Sequence, residues 1–190
     1  FWGAQTIRDV PLSEVFDALD LKTLFRLHWG GKGVRGDDWD DLIERDFAPR
    51  LERMQSEAAK YLAPRVVYGY FPAVADGDEL VVLEEPKPDA LERYRLAFPR
   101  QRRDRHLCLA DFWRPRELAV AGGEVDVLPL HLVTMGQPIA DYANELFAKD
   151  AYRDYLEVHG LGVQLTEALA ELWHRRIREE LRFADATAVA

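Results

Sequence analysis

The chain has 190 residues, 48% hydrophobic and 31% charged, with a formal net charge of −9. That is enough apolar material for one compact domain, or one lobe of a larger protein, and it excludes wholesale disorder. The acidic balance argues against a general phosphate-backbone binder, which needs a positive face.

Cys108 is the single cysteine, so no internal disulfide can form, and the five histidines are scattered without metal-ligand spacing. A reducing, cytoplasmic setting is expected, with no protein-ligated metal. No apolar run approaches the eighteen or so residues that read as a membrane span. The opening FWGAQTIRDV is unlike a signal peptide and lacks a methionine, so it reads as a piece cut from a longer polypeptide.

The first third is helical in pattern. Ser13 is placed to cap a short helix through Phe16 and Leu19, and Asp20 to cap the next, Leu21 to Trp29. The glycines of GGKGVRGDDWD mark a loop. A longer helix is predicted from near Asp46 to Leu62 on the spacing of Leu51, Met54, Ala58 and Leu62, with Pro49 tolerated only in its first turn.

The texture then changes. RVVYGYFPAVADGDELVVL holds two β-branched and aromatic runs around Ala-Asp-Gly-Asp, a hairpin signal, with Pro72 suggesting an edge strand or a bulge. Leu91–Phe98 is a third strand candidate, and EVDVLPLHLVTMG, from Glu124, a fourth. Between them lies the basic stretch FPRQRRDRHLCLADFW, predicted as a strand exit and surface loop. PIADYANELFAKDAYRDYLEVHG predicts two short helices broken near Asp150. In the final helix Leu161, Leu165, Leu169, Leu172, Trp173, Ile177 and Leu181 form one apolar stripe. Helices, strands and again helices predict an α+β fold, an antiparallel twisted sheet with helices packed on it.

The residues by themselves announce no catalytic constellation: no nucleophile elbow, no phosphate loop, no dinucleotide-binding glycine pattern. Cys108, flanked by Leu107 and Leu109, reads as a buried structural thiol more readily than a reactive one. The acidic run Asp37 to Asp41 reads as a solvated helix start. Asp20 reads as a cap, and Glu167 and Glu171 as a solvated face with an i,i+4 pair from Glu171 to Arg175.

Five blocks taken in order nonetheless resemble the activation, or S-adenosylmethionine-binding, domain of cobalamin-dependent methionine synthase. They are FWGAQTIRDVPLSEVF with LDLKTLFRLHW, VVYGYFPAVADGDELVVL, FPRQRRDRHLCLADFWRP, DVLPLHLVTMG and LTEALAELWHRRIREEL. Within the basic stretch Arg100 and Gln101 fall on the family pattern, Arg102, Arg103 and Arg105 are ordinary loop charges, and Leu109-Ala110-Asp111-Phe112 is structural. No nucleic-acid or membrane partner is implied.

The resemblance implies a repair function. Cobalamin, held by a neighbouring domain and used as cob(I)alamin, is occasionally oxidised to inactive cob(II)alamin. An electron from a flavodoxin-like donor and a methyl group from S-adenosylmethionine presented by this domain restore it. The chemistry is carried by the ligands, so no catalytic residue is expected. Asp20, in LDLKTLF, and Glu167, in LTEALAE, fall on family carboxylates that line the ligand site and suit an ammonium group. The family continues into an arginine followed by Gly-Tyr-Pro-Ala-Cys-Pro. The expectation is therefore a partial activation domain over 1–190 that, by itself, binds S-adenosylmethionine poorly or not at all. The alternatives are a module docking on the cobalamin domain or flavodoxin without using S-adenosylmethionine, and a reactivator acting in trans. Arg175, Arg176 and Arg178 are one candidate face for an acidic donor.

Overall fold

The computed structural model describes residues 1–183. Internal contacts divide the chain into two units, one of Phe1–Gln5 with Tyr68–Leu130 and the other of Thr6–Val67 with the residues from His131. The architecture is α+β, as the sequence predicts.

The first unit is built on an antiparallel sheet. Strands β1 (Gly3–Ile7), β2 (Arg65–Asp76), β3 (Glu79–Leu83) and β4 (Glu92–Ala97) are neighbours in that order, and β5 (Asp126–Thr134) also pairs with β2. The predicted hairpin is β2–β3, with Ala73 opposite Val82 and Asp76 opposite Glu79. Gly77 turns it with a φ of 62°, a conformation that costs a residue without Cβ nothing. Both faces of the hairpin are covered. Ala73, Leu80 and Val82 pack with Leu128 on one side, while Val74, Val81 and Leu83 pack with Ala119 of α5 (Arg116–Gly122) on the other. That is why Ala73–Ala75 and Leu80–Leu83 read as unbroken apolar runs. Pro72 lies in a central strand rather than at an edge, just before the ladder with β3 begins at Ala73.

β4 is an edge strand, and all six of its residues are exposed. After it, the Arg100–His106 loop leads to a 3₁₀ turn at Leu109–Phe112, the expected structural turn. Cys108 is buried, its thiol within 3.6 Å of the Phe98 carbonyl oxygen, as the flanking leucines suggest. The short strand β1 is not among the predicted elements, since GAQTI offers neither alternation nor a turn signal.

The second unit is helical. Helix α1 (Leu12–Asp17) begins one residue before Ser13, with Pro11 at the cap position and no side-chain cap, so Ser13 is not the cap the sequence suggests. Helix α2 (Leu21–Thr23) continues into a π turn, Leu24–His28, closed by the Trp29 N–H on the Leu24 carbonyl at 3.0 Å. Helix α3 (Asp37–Leu42) runs through a second π turn, Ile43–Phe47, into α4 (Ala48–Ala58). Pro49 does occupy the first turn of α4, but the chain is already helical upstream. A proline lacks the donor a continuous α-helix needs there, and the wider π turn accommodates it. Phe25 stacks on both Trp29 and Phe47, its ring centroid 5.0 Å from that of Phe47, and Trp29 and Phe47 meet at a tilt.

Helix α6 (Gln137–Ala148) ends before Asp150, which adopts a left-handed φ of 56°. The break is where the sequence places it. The next element is no short helix but α7 (Tyr152–Glu180), 29 residues long and about 43 Å in length. It runs straight through Gly160 and Gly162 and buries the leucine stripe from Leu161 to Ile177. Gly160 is small for a reason: a Cβ there would lie 2.6 Å from the His28 Cβ, so its absence lets the π turn seat on α7.

Candidate functional site

Asp20 and Glu167 both belong to the helical unit. Asp20 sits in the turn between α1 and α2, exposed, with its neighbour Leu19 buried beneath it. Its Oδ1 accepts from the Thr23 backbone N–H at 3.0 Å, and its Oδ2 from the Thr23 hydroxyl at 2.6 Å. The hydroxyl bond first, and the backbone bond after it, hold the carboxyl below the ordinary aspartate value, so it is ionised at neutral pH. The capping role is real. Each oxygen still keeps a free lone pair for a ligand.

Glu167 is exposed on α7, opposite the leucine stripe. Its Oε2 accepts from the Gln164 side-chain amide at 3.3 Å, and the same amide nitrogen lies 3.4 Å from His28 Nε2. Two tie points align the segments carrying the carboxylates. Arg176 pairs with Glu14 on α1, and His28 meets Gly160 and Gln164. Residues 14 to 28 therefore run antiparallel to 176 through 160. Both sequence-predicted residues lie in the helical unit, Asp20 at the head of α2 and Glu167 on α7.

Neither carboxylate makes an ion pair with an arginine or lysine among the described residues; their partners are a hydroxyl, a backbone N–H and an amide. Two carboxylates with unused lone pairs suit a cationic group carrying several donors. Glu171 lies 4.0 Å from His174 and does not form the expected pair with Arg175. The nearby cleft between α6 and α7, about 210 Å³, is lined by residues such as Gly136, Ile139, Ala143 and Thr166, and contains neither Asp20 nor Glu167. No group of three potential metal ligands exists among the described residues, the acidic run at Asp37 included.

The other family position, Arg100, lies in the sheet unit and is fully engaged. Its guanidinium binds Asp78 at 2.7 Å and Asp111 at 2.7 Å, and donates to the His106 carbonyl at 2.6 Å. The Arg100 contact, with the Cys108 N–H, holds the Asp111 carboxyl at about 2. Gln101 closes the loop through its backbone N–H on the Leu107 carbonyl at 2.9 Å. Arg102, Arg103 and Arg105 are exposed, as ordinary loop charges are. Of the arginines near the end of α7, Arg176 is turned inward to Glu14 and over Trp173, which leaves Arg175 the exposed one of that cluster.

Residues 37–188 match the family model for the activation domain of vitamin B12 dependent methionine synthase. The chain belongs to this family. It is 57% identical to the methionine synthase of Mycobacterium tuberculosis (strain ATCC 25618 / H37Rv), across all of this chain and 16% of that protein. It is 55% identical to that of Mycobacterium leprae (strain TN), across 97% of this chain and again 16% of the relative. The chain thus spans 16% of the length of these relatives. A crystal structure of the MetH reactivation domain bound to AdoHcy superposes with a TM-score of 0.74 at 25% identity, over 93% of this chain and 55% of that one.

The activation-domain blocks mostly encode fold. VVYGYFPAVADGDELVVL is the doubly covered hairpin, the arginine-glutamine block a stapled loop, and DVLPLHLVTMG strand β5. Among the described residues, LDLKTLF and LTEALAE place Asp20 and Glu167, which the fold orders without an arginine or lysine in contact. Gln164 and His28 escape a reading of the sequence. Both look ordinary there, and the available signal is Gly160: a glycine inside a strong helix marks a close approach.

Proposed function

We propose that this chain is the reactivation module of a cobalamin-dependent methionine synthase, binding S-adenosylmethionine and presenting its methyl group to an oxidised cobalamin during methionine biosynthesis. The observation that carries the reading is the likeness to a reactivation domain holding S-adenosylhomocysteine, which is S-adenosylmethionine without its transferable methyl. Identity to two proteins named methionine synthase supports the same setting.

Asp20 and Glu167 are assigned as the carboxylates that receive the ligand's ammonium and hydroxyl groups. Their lack of ion-pair partners supports this, because a pre-neutralised carboxylate has little left to offer a cation. S-adenosylmethionine, held by Asp20 and Glu167, would supply an electrophilic sulfonium methyl for a cobalamin of a neighbouring domain, with a flavodoxin-like protein as the proposed electron donor. This chain's residues bind and orient; none takes or gives a proton in the transfer. No helix among the described residues is long and apolar enough to cross a membrane. The cytoplasm is the proposed setting, and nucleic acid is not a proposed partner.

The test is calorimetric titration of S-adenosylmethionine into the chain and into its Asp20→Ala plus Glu167→Ala form. Binding that is lost in the double variant, with the helical circular dichroism intact, supports the assignment. Equal affinity in both sinks it.

A further inference from the structure

Every site group in the proposed reading sits at the protein surface, with one exception underneath. Gln164 is 4% exposed, and it lies between His28 and Glu167. A buried amide that touches two titratable side chains and no backbone group is unusual enough to need an explanation, since most side-chain hydrogen bonds go to backbone or water.

The orientation of this amide follows from its neighbours. An ionised carboxylate can only accept, so the Gln164 nitrogen, not its oxygen, must face Glu167. The same nitrogen is within reach of His28 Nε2, which must then accept as well. This contact calls for the tautomer with the proton on Nδ1, which leaves Nε2 a lone pair to accept with. The two contacts are long, 3.3 and 3.4 Å, as befits one NH₂ group spreading its two hydrogens between two acceptors.

Backbone architecture brings the three together. The π turn Leu24–His28 projects His28 onto α7, and Gly160 removes the side chain that would hold it off. Gln164 is one turn beyond Gly160 on the same face, and Glu167 three residues further on. π turns in α-helices are frequent at functional sites. This one carries Asp20 at the head of its helix and His28 at its tail.

We infer that Gln164 is a positioning residue: held by His28, it fixes the Glu167 carboxylate in the orientation that receives the ligand. This rests on the reading of Glu167 as a ligand carboxylate. A long glutamate on a solvated helix face otherwise samples several rotamers, and ordering it during binding would subtract from affinity. The amide removes that loss in advance. Because Gln164 touches Glu167 and not the ligand, it acts only through Glu167.

The experiment has a spectroscopic arm and a binding arm, both on the 190-residue chain. Ring ¹⁵N shifts of His28 at neutral pH are expected to show the Nδ1–H tautomer. Gln164→Leu, close in volume and compatible with the surrounding leucines, is expected to move His28 towards the Nε2–H tautomer while leaving the circular dichroism unchanged. If Gln164→Leu does not fold, Gln164→Met, which keeps an unbranched chain of similar length, takes its place. In the binding arm, S-adenosylhomocysteine affinity is expected to fall about threefold to tenfold in Gln164→Leu, the worth of one positioned hydrogen bond. In a Glu167→Gln background the same change is expected to cause no further loss.

A His28 spectrum that is Nε2–H in the parent chain, or that does not respond to Gln164→Leu, overturns the inference. So does an affinity loss that persists in full in the Glu167→Gln background, which would mean Gln164 acts elsewhere. The underlying reading fails in a different pattern. S-adenosylhomocysteine then does not bind at all, or Glu167→Gln binds as the parent does. In that case Gln164 has no carboxylate to position for a ligand, whatever His28 shows.

Discussion

Both units pair opposite charges, the helical one at Arg50 with Asp46 and Glu157, but the family positions Arg100 in one unit and Asp20 and Glu167 in the other are held in contrasting ways. In the sheet unit, opposite charges are brought into contact: Arg95 with Asp76, Glu79 and Glu92, Arg116 with Glu92, and Arg100 with Asp78 and Asp111. These clusters are exposed and self-neutralising, which makes them staples of hairpin and loop geometry with little reach beyond the surface. In the helical unit, Asp20 and Glu167 are held by neutral donors alone. Orientation is fixed with no arginine or lysine in hydrogen-bond or ion-pair contact. The proposed cation-binding site is placed where carboxylates are ordered without an arginine or lysine in contact.

The greatest loss should come from breaking the packing of the π turn against α7. Gly160→Val inserts a branched side chain where even a Cβ would meet His28 at 2.6 Å, and overpacking of this kind costs about 1–3 kcal/mol. Denaturant unfolding should show the loss, and S-adenosylhomocysteine affinity should fall with it. A variant that unfolds and binds like the parent would mean the contact between the π turn and α7 does not shape the site.

Two changes at one residue separate cap from charge. Asp20→Ala removes both and should cost about 1 kcal/mol of stability, the worth of an N-cap. Asp20→Asn keeps an acceptor for the Thr23 N–H and should retain most of that stability. Both should weaken ligand binding, because both remove the charge. If Asp20→Asn binds as well as the parent, the cap is the residue's whole role. Arg100→Met, in the contrasting unit, should lower thermal stability by loosening the loop it ties down, and leave ligand affinity untouched.

A subtler response is the most diagnostic of the two electrostatic styles. Asp111 has its carboxyl depressed to about 2 chiefly by a charged partner, whereas Asp20 is depressed chiefly by a hydroxyl. Both folded values lie below the unfolded one. The stability each contributes is therefore fully present above about pH 4, and is lost as pH falls through its folded value. Carboxyl ¹³C titrations at low and high salt should separate them. The Asp111 midpoint should climb as salt screens Arg100, and the Asp20 midpoint should stay nearly fixed. Equal salt responses would erase the distinction.

How much of this is legible in the sequence depends on how local the determinant is. The β2–β3 hairpin is readable because Asp-Gly in the turn and apolar runs on both sides are local signals. The α7 stripe is readable for the same reason. Its length is not, since the glycines at 160 and 162 look like a break until a partner helix is seen pressing on them. The π turns, the short β1 and the inward turn of Arg176 all depend on tertiary contacts that no window of residues contains. Asp20 announces itself as a cap, and Glu167 emerges only from the family resemblance. Gln164 looks like any polar residue in a long helix. Its position becomes meaningful through His28, 136 residues away.

The order in which the chain leaves the ribosome matters for this topology. The sheet unit, apart from β1, is one uninterrupted stretch from Tyr68 to Leu130, so it can close as soon as it emerges. The helical unit is split around it. Leu24, Phe25 and the rest of the early helices have no α7 to cover them until more than a hundred further residues have been made. At about 5–20 residues per second that interval lasts some seconds, during which an apolar surface is bare. Helper proteins that shield nascent apolar segments therefore have their natural target in residues 12–62, well ahead of the helix that eventually replaces them.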